Sequence, residues 1–279
     1  MAAFLRITIL TLALGIAFPA RAAEVETALM TSLEIGEAVA AGKTTIIIPT
    51  GGTEQNGPHM ITGKHNFIVA ETARRIAAKL GDALVAPVMA YVPEGDIAKR
   101  EGNMAYPGSI SVPPEVYAQV LEATASSFAI HGFKTIVFLG DSGPNQAPQK
   151  AVASVLSAQW AKDGVRVLSA ETYYAAPGAN EYLKTEGETD ATIGQHASIR
   201  DTSELMAVFP AGVKLEKAVA DKDGVIGDPS RASAARGEKL LTFKVDAAVK
   251  EIQAARLAPL PAAAPEPGIF DRIWRAIFG

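Results

Sequence analysis

Three stretches of this chain combine side chains able to do acid–base or metal chemistry with the glycines and prolines of sharp turns. The first runs from Pro49 to Asn66 and carries the carboxylate Glu54 with two of the four histidines, His59 and His65. The second is Gly140-Asp141-Ser142-Gly143-Pro144-Asn145-Gln146, and the third, Gln195 to Glu204, holds His196, Asp201 and Glu204. Carboxylate oxygens and an imidazole nitrogen make a donor set for a divalent ion, with one position left open for water. Glu54, His65 and Asp141 are therefore candidate ligands, provided the strands that lead into their loops are neighbours. The same residues admit a plainer reading, in which Glu54 caps a helix or pairs with Lys64, Asp141 makes a turn, and the histidines are satisfied polar groups.

Other chemistries have less support. Ser142 follows a strand-like run, but the G-x-S-x-G pattern of a nucleophile elbow is not met and no base is identifiable by spacing. No G-x-G-x-x-G opens a helix and no P-loop occurs, so a nucleotide cofactor is not indicated. The chain has no cysteine, which removes thiol catalysis, thiolate metal sites and disulfides together. His131, ahead of Gly132, fits a helix C-terminus, where a partly charged imidazole suits the dipole.

The elements that must position these loops alternate between short apolar runs and longer amphipathic ones. Thr44 to Pro49, Leu84 to Met89, Thr135 to Leu139 and Val165 to Ser169 read as strands. Ile68 to Leu80, Pro114 to about Ile130 and Gln149 to Ala161 read as helices, the second opened by proline where its missing N–H costs nothing. Strand and helix in repeated order predict a single α/β domain with a mostly parallel sheet, whose chemistry gathers beyond the carboxyl ends of the strands.

The 279 residues hold 26 Lys+Arg against 30 Asp+Glu, leaving no positive excess for a phosphate backbone, so nucleic acid is not an expected partner. Residues 1–22 carry Arg6, an uncharged run from Ile7 to Phe18 and the small-x-small end Ala20-Arg21-Ala22, the pattern of a secretory signal peptide. Export, to the periplasm, is the expectation. The α/β domain is expected over 23–256, a Pro/Ala spacer over 257–268, and a short amphipathic helix over 269–279. That last helix suits docking on a partner subunit, lying in a membrane interface, or folding back on its own domain.

Taken together, the loops resemble the creatininase family of metal-dependent amidohydrolases. Gly-Gly-Thr-Glu-Gln-Asn-Gly-Pro-His at 51–59 is similar to its G-S-x-E-Q-H-G-P-H signature, and Tyr106-Pro107-Gly108-Ser109-Ile110 to its F-P-G-T-I turn. Gly140 to Asn145 stands where the family has N-G-H-G-G-N. His196-Ala197 through Asp201-Thr202-Ser203 resembles H-A-G-E-x-E-T-S, and Gly224 to Pro229 matches a late turn. The resemblance implies helices on both faces of the sheet, a homo-oligomer, usually a hexamer, and one or two divalent metals. Of the family's ligands Glu54 is kept, Asn56 replaces the first histidine, His65 takes the bridging aspartate position, and Ser142 replaces the loop histidine. A rebuilt site with one metal, zinc before manganese or iron, follows as the expectation, held by Glu54, His65 and Asp141. His196 keeps the position of the histidine implicated in proton transfer, so His196 and Glu54 are the expected catalytic residues. Gln55, Asn56, Asn145 and Ser142 are the expected donors to substrate or oxyanion, and Gly57, Pro58 and His59 the structural turn of the loop.

The activity this implies is hydrolysis of a small amide, lactam or lactone by metal-activated water. The alternative is a metal-free, inactive protein that binds a small molecule or a partner in the old cleft. Pocket walls are expected from Tyr91 to Met104 and Tyr173 to Thr192, with Tyr173 or Tyr174 available to stack on a ring.

Overall fold

The computed structural model describes residues 24–262. The expected signal peptide and C-terminal helix lie outside the described residues, as does half of the spacer, from 263 to 268. Four strands, β1 (Thr45–Thr50), β2 (Ala83–Val85), β3 (Thr135–Gly140) and β4 (Arg166–Ser169), form one sheet in the order β2-β1-β3-β4. Every pairing is parallel. β1 and β3 pair over their whole length, from Thr45 opposite Thr135 to Thr50 opposite Gly140. The two loops that carry Glu54 and Asp141 therefore leave the sheet side by side. The chain runs from β1 outward to β2 and then crosses to β3, so this is also the point where strand order reverses, the crevice in which open α/β sheets bind their ligands.

Helices cover both faces, and period-two alternation along the strands decides which residue meets which layer. Ile46, Ile48, Ile136 and Phe138 face α3 (Pro114–Ile130) and α4 (Gln146–Gln159), where Tyr117, Leu121, Val152 and Leu156 are buried. Ile47, Val137 and Leu139 face α2 (Lys64–Leu80) and α9 (Ala234–Leu257), against Val69, Ile76, Val245 and Ile252. Between these come α1 (Ser32–Ala40), and the shorter α5 (Glu171–Ala175), α6 (Ala179–Thr185), α7 (Asp190–Ile193) and α8 (Ile199–Val208).

The differences from expectation have local causes. β2 stops at Val85 because Pro87 has no N–H for the ladder, leaving Met89 a single bridge to Thr50. α2 starts at Lys64 rather than Ile68, which places Lys64 and His65 in its first turn, and α4 starts at Gln146, with Pro148 tolerated near its beginning. α9, 24 residues long, was not anticipated, yet it buries Leu240, Leu241, Val245, Ala248 and Ile252.

Candidate active site

Beyond the carboxyl ends of β1 and β3 lies a cavity of about 510 Å³, lined almost wholly by polar side chains. At its floor Glu54, His65 and Asp141 meet. His65 Nε2 stands 2.8 Å from Glu54 Oε1 and Nδ1 stands 2.7 Å from Asp141 Oδ2. A carboxylate only accepts, so both ring nitrogens carry protons and the ring is an imidazolium. Burial alone would lower its pKa, but Glu54 and Asp141 push it up to about 9.

Two lysines complete the cluster. Lys64 Nζ lies 3.4 Å from Glu54 Oε1 and 2.9 Å from Asp201 Oδ2. Lys244, from α9, lies 2.7 Å from Asp141 Oδ1 and 2.6 Å from Glu204 Oε2. They are 1% and 5% exposed, which requires that each be paired. Against the cost of burial, Asp201 and Glu54 push the Lys64 pKa up to about 12. Burial opposes the ionisation of Glu54 too, yet His65 and Lys64 hold its pKa at about 2. Asp141, also accepting from Tyr173 Oη at 2.7 Å, is held well below the usual carboxylate range by Lys244 and His65 in spite of its burial. Along the cavity wall the cations Lys64, His65, Lys244 and Arg200 match the carboxylates Glu54, Asp141, Asp201 and Glu204 in number.

The three expected ligands are brought together, as members of an ion-paired cluster. Glu54, His65 and Asp141 converge, but an imidazole that donates through both nitrogens has no lone pair for a metal, and the carboxylate oxygens are already occupied by ammonium, imidazolium, amide and phenol donors. Among the described residues no group of three or more His, Asp or Glu side chains is arranged to hold a metal ion. The pairing of Glu54 with Lys64, the plainer of the two readings of the sequence, is present.

The expected oxyanion donors are also largely redirected. Asn56 Nδ2 donates to the carbonyls of Glu54 (3.0 Å) and Ile61 (3.1 Å), and Asn145 Nδ2 to Thr50 Oγ1 (3.0 Å) and the Gly51 carbonyl (2.8 Å). Both are fully buried struts of the loops. Gln55 braces the loop as well, its Nε2 donating to Asn103 Oδ1 (3.3 Å) and the Gly224 carbonyl (3.2 Å) while its Oε1 accepts from the Gly57 N–H. Ser142 does line the cavity, and its hydroxyl donates to Glu94 at 3.3 Å. His59 is buried with Nε2 2.9 Å from Thr202 Oγ1, tying the Gly57-Pro58 turn to α8.

His196 borders the cavity. Its Nε2 lies 2.9 Å from the Gln55 side-chain Nε2 and 3.0 Å from the Gln55 backbone carbonyl, and Nδ1 lies 3.8 Å from Glu54 Oε1. Burial and Lys64 hold this histidine below its usual 6.5, hence neutral at pH 7.

Glu94 and Asn103 escaped the reading of the sequence. Asn103 Nδ2 donates to both Glu54 and Glu94, tying the two carboxyls together. Burial and the charge of Glu54 push the Glu94 pKa up to about 8. Gly52 makes room for it, since a Cβ there would sit 2.1 Å from Glu94 Oε1. Both residues fall in the Tyr91 to Met104 stretch expected to supply pocket wall. Lys244 was missed as well, although a lysine at helical spacing from Leu240, Leu241 and Ala248 marks a charge on a buried stripe. Of the tyrosines, Tyr173 is core and hydrogen-bonded to Asp141, while Tyr174 borders the cavity.

The chain is 26% identical over 235 residues to the mycofactocin precursor peptide peptidase of Mycobacterium tuberculosis, covering 77% of this chain and 86% of that protein. It is 26% identical over 186 residues to the creatinine amidohydrolase of Pseudomonas putida, covering 65% and 70% respectively. A solved structure described as creatininase with Mn superposes with a TM-score of 0.70 at 23% identity, covering 85% of this chain and all of that one, which shows a shared fold. The family model for creatinine amidohydrolase matches residues 28–252, and with the loop order and the parallel sheet this establishes that the chain belongs to the creatininase family.

Proposed function

We propose that this protein hydrolyses a small amide, lactam or lactone in the cavity beyond β1 and β3, with His196 as general base. Relatives in the family are amide-bond hydrolases by name, which supports the reaction class. The observation that carries the reading here is the neutral His196 at the cavity edge, its Nε2 3.0 Å from the Gln55 carbonyl, and with the proton on Nε2 its Nδ1 is free to accept another. A water beside Nδ1 gives up its proton as it attacks the substrate carbonyl, and the resulting imidazolium returns that proton to the leaving nitrogen or oxygen. Lys64, close enough to His196 to depress its pKa, is the cation best placed to face the developing oxyanion. Glu54 does not act as a base in this scheme. It holds Lys64, His65 and Asn103 in place. The metal-activated water expected from the family resemblance has no support in this donor set, and no step passes through it.

The test is a panel of N-acyl amines, lactams, lactones and short peptides, followed by mass spectrometry with the full chain and with His196→Asn. Turnover by the parent chain and a loss of about 10²–10⁴-fold in kcat for the variant is the expected result. A parent chain inert on every class would leave the cavity as a binding site, the alternative reading. Family membership further supports a homo-oligomer, a hexamer being the expected form, and the N-terminal pattern supports export to the periplasm. Analytical ultracentrifugation and N-terminal sequencing of the exported protein read these directly.

A further inference from the structure

We propose that Lys64 and Lys244 are the resident cations of this site, and that the protein has exchanged the divalent ions of its family for two side-chain ammoniums. This stands independently of the hydrolase reading, because it concerns what balances the buried carboxylates and not what the cavity turns over.

Three observations carry it. First, each ammonium bridges a pair of carboxylates as a metal would: Lys64 between Glu54 (3.4 Å) and Asp201 (2.9 Å), Lys244 between Asp141 (2.7 Å) and Glu204 (2.6 Å). Both are buried, and the His65 imidazolium links the two halves by joining Glu54 to Asp141. Second, the substitutions concur. The residues that depart from the family's ligand pattern, Asn56, His65 and Ser142, either lack an anionic or imidazole donor or, for His65, spend both nitrogens on carboxylates. Third, the cavity wall already balances four cations against four carboxylates, so a divalent ion would add two uncompensated charges to a buried cluster unless a lysine left. The lysines have little room to leave: Lys64 is anchored at the first turn of α2, and Lys244 lies on the stripe of α9 that packs on the sheet, its Nζ 5.2 Å from the centre of the Tyr173 ring.

The test needs no substrate. Full-length protein without a histidine tag is loaded with excess Zn²⁺ or Mn²⁺, dialysed, and measured for metal by mass spectrometry and for thermal unfolding with and without EDTA. The expected result is well under one tenth of an equivalent of metal per chain and a Tm that EDTA leaves within about 1 °C. Roughly one equivalent retained, with a Tm that falls by several degrees on chelation, would overturn the proposal. The second arm removes one ammonium. Lys244→Met leaves Asp141 and Glu204 facing each other, and millimolar Mn²⁺ should then raise the Tm of the variant by a few degrees while leaving the parent unmoved. Equal responses from the two proteins count against the assignment. Should Lys244→Met fail to fold, Lys64→Met provides the same comparison, and the measurement on the parent chain decides on its own.

Discussion

His65 is the residue whose chemistry departs furthest from its sequence context. Its pKa is raised from 6.5 in the unfolded chain to about 9 in the fold. A group whose folded pKa is raised contributes stability that is full below the unfolded value and lost as pH climbs through the folded one. Glu94, raised from 4.5 to about 8, acts in the same direction, since its ionisation is favoured in the unfolded chain. Stability is therefore expected to fall between about pH 4.5 and 9, with the His65 contribution, of the order of 3 kcal/mol, lost above about pH 6.5, and urea titrations across that range measure it. His65→Gln, which keeps hydrogen bonding but carries no charge, should flatten the dependence. Activity moves the other way. His196 must be neutral to accept a proton, so kcat/KM is expected to rise with pH and level off above a pKa lower than 6.5. Glu54, His65, Asp141 and His196 were legible as a group because all stand in polar, turn-rich stretches of the sequence, although the structure puts His65 in the first turn of α2 and His196 between α7 and α8. What they do was less legible: a histidine reads as a ligand or as a cation according to its neighbours, and Asp141, one of the two carboxylates that decide, lies 76 residues beyond His65 in the chain.

Strands and helices of the sheet were readable because each has one periodicity to obey. β1 and β3 carry continuous apolar runs, Ile46 to Pro49 and Ile136 to Leu139, as strands covered on both faces do, and α2, α3 and α4 show their buried stripes in the sequence. The stretch from Glu171 to Val208 was not readable, being built of helices of ten residues or fewer whose limits follow tertiary contacts. α9 escaped notice because its stripe is interrupted by Gly237 and Lys244, and both interruptions serve α8. A Cβ on Gly237 would come 1.9 Å from the carbonyl oxygen of Ser203, so the two helices touch backbone to backbone there. That contact sets the register in which Lys244, about two turns on, meets Glu204. Gly237→Ala would gain about 1 kcal/mol of helix propensity in an open helix. Here it is expected to cost a net 1–3 kcal/mol, roughly, by overpacking, and to weaken the Lys244–Glu204 pair. Chemical denaturation of the variant gives the sign, and a positive shift in midpoint would contradict the close packing of these helices.

At the scale of the whole molecule the site belongs to neither end of the chain. β1 supplies its first loop, β3 its second, α8 two carboxylates, and α9 the ammonium that neutralises two of them. α9 is also clamped at its far end, where Arg256 reaches Asp82 at 3.0 Å and the Thr45 hydroxyl at the start of β1. Val116, Val120 and Ile130 are exposed on α3. Among the described residues no helix is long and apolar enough to cross a membrane. Placing the counter-charge on α9, the last helix among the described residues, has a consequence for how the protein comes into being. A chain made from its N-terminus completes β1 and β3 long before α9 exists, so Asp141 and Glu204 wait in water for their partner. Sealing the cleft then awaits α9, and a nascent chain that lacks it keeps an open, hydrated centre.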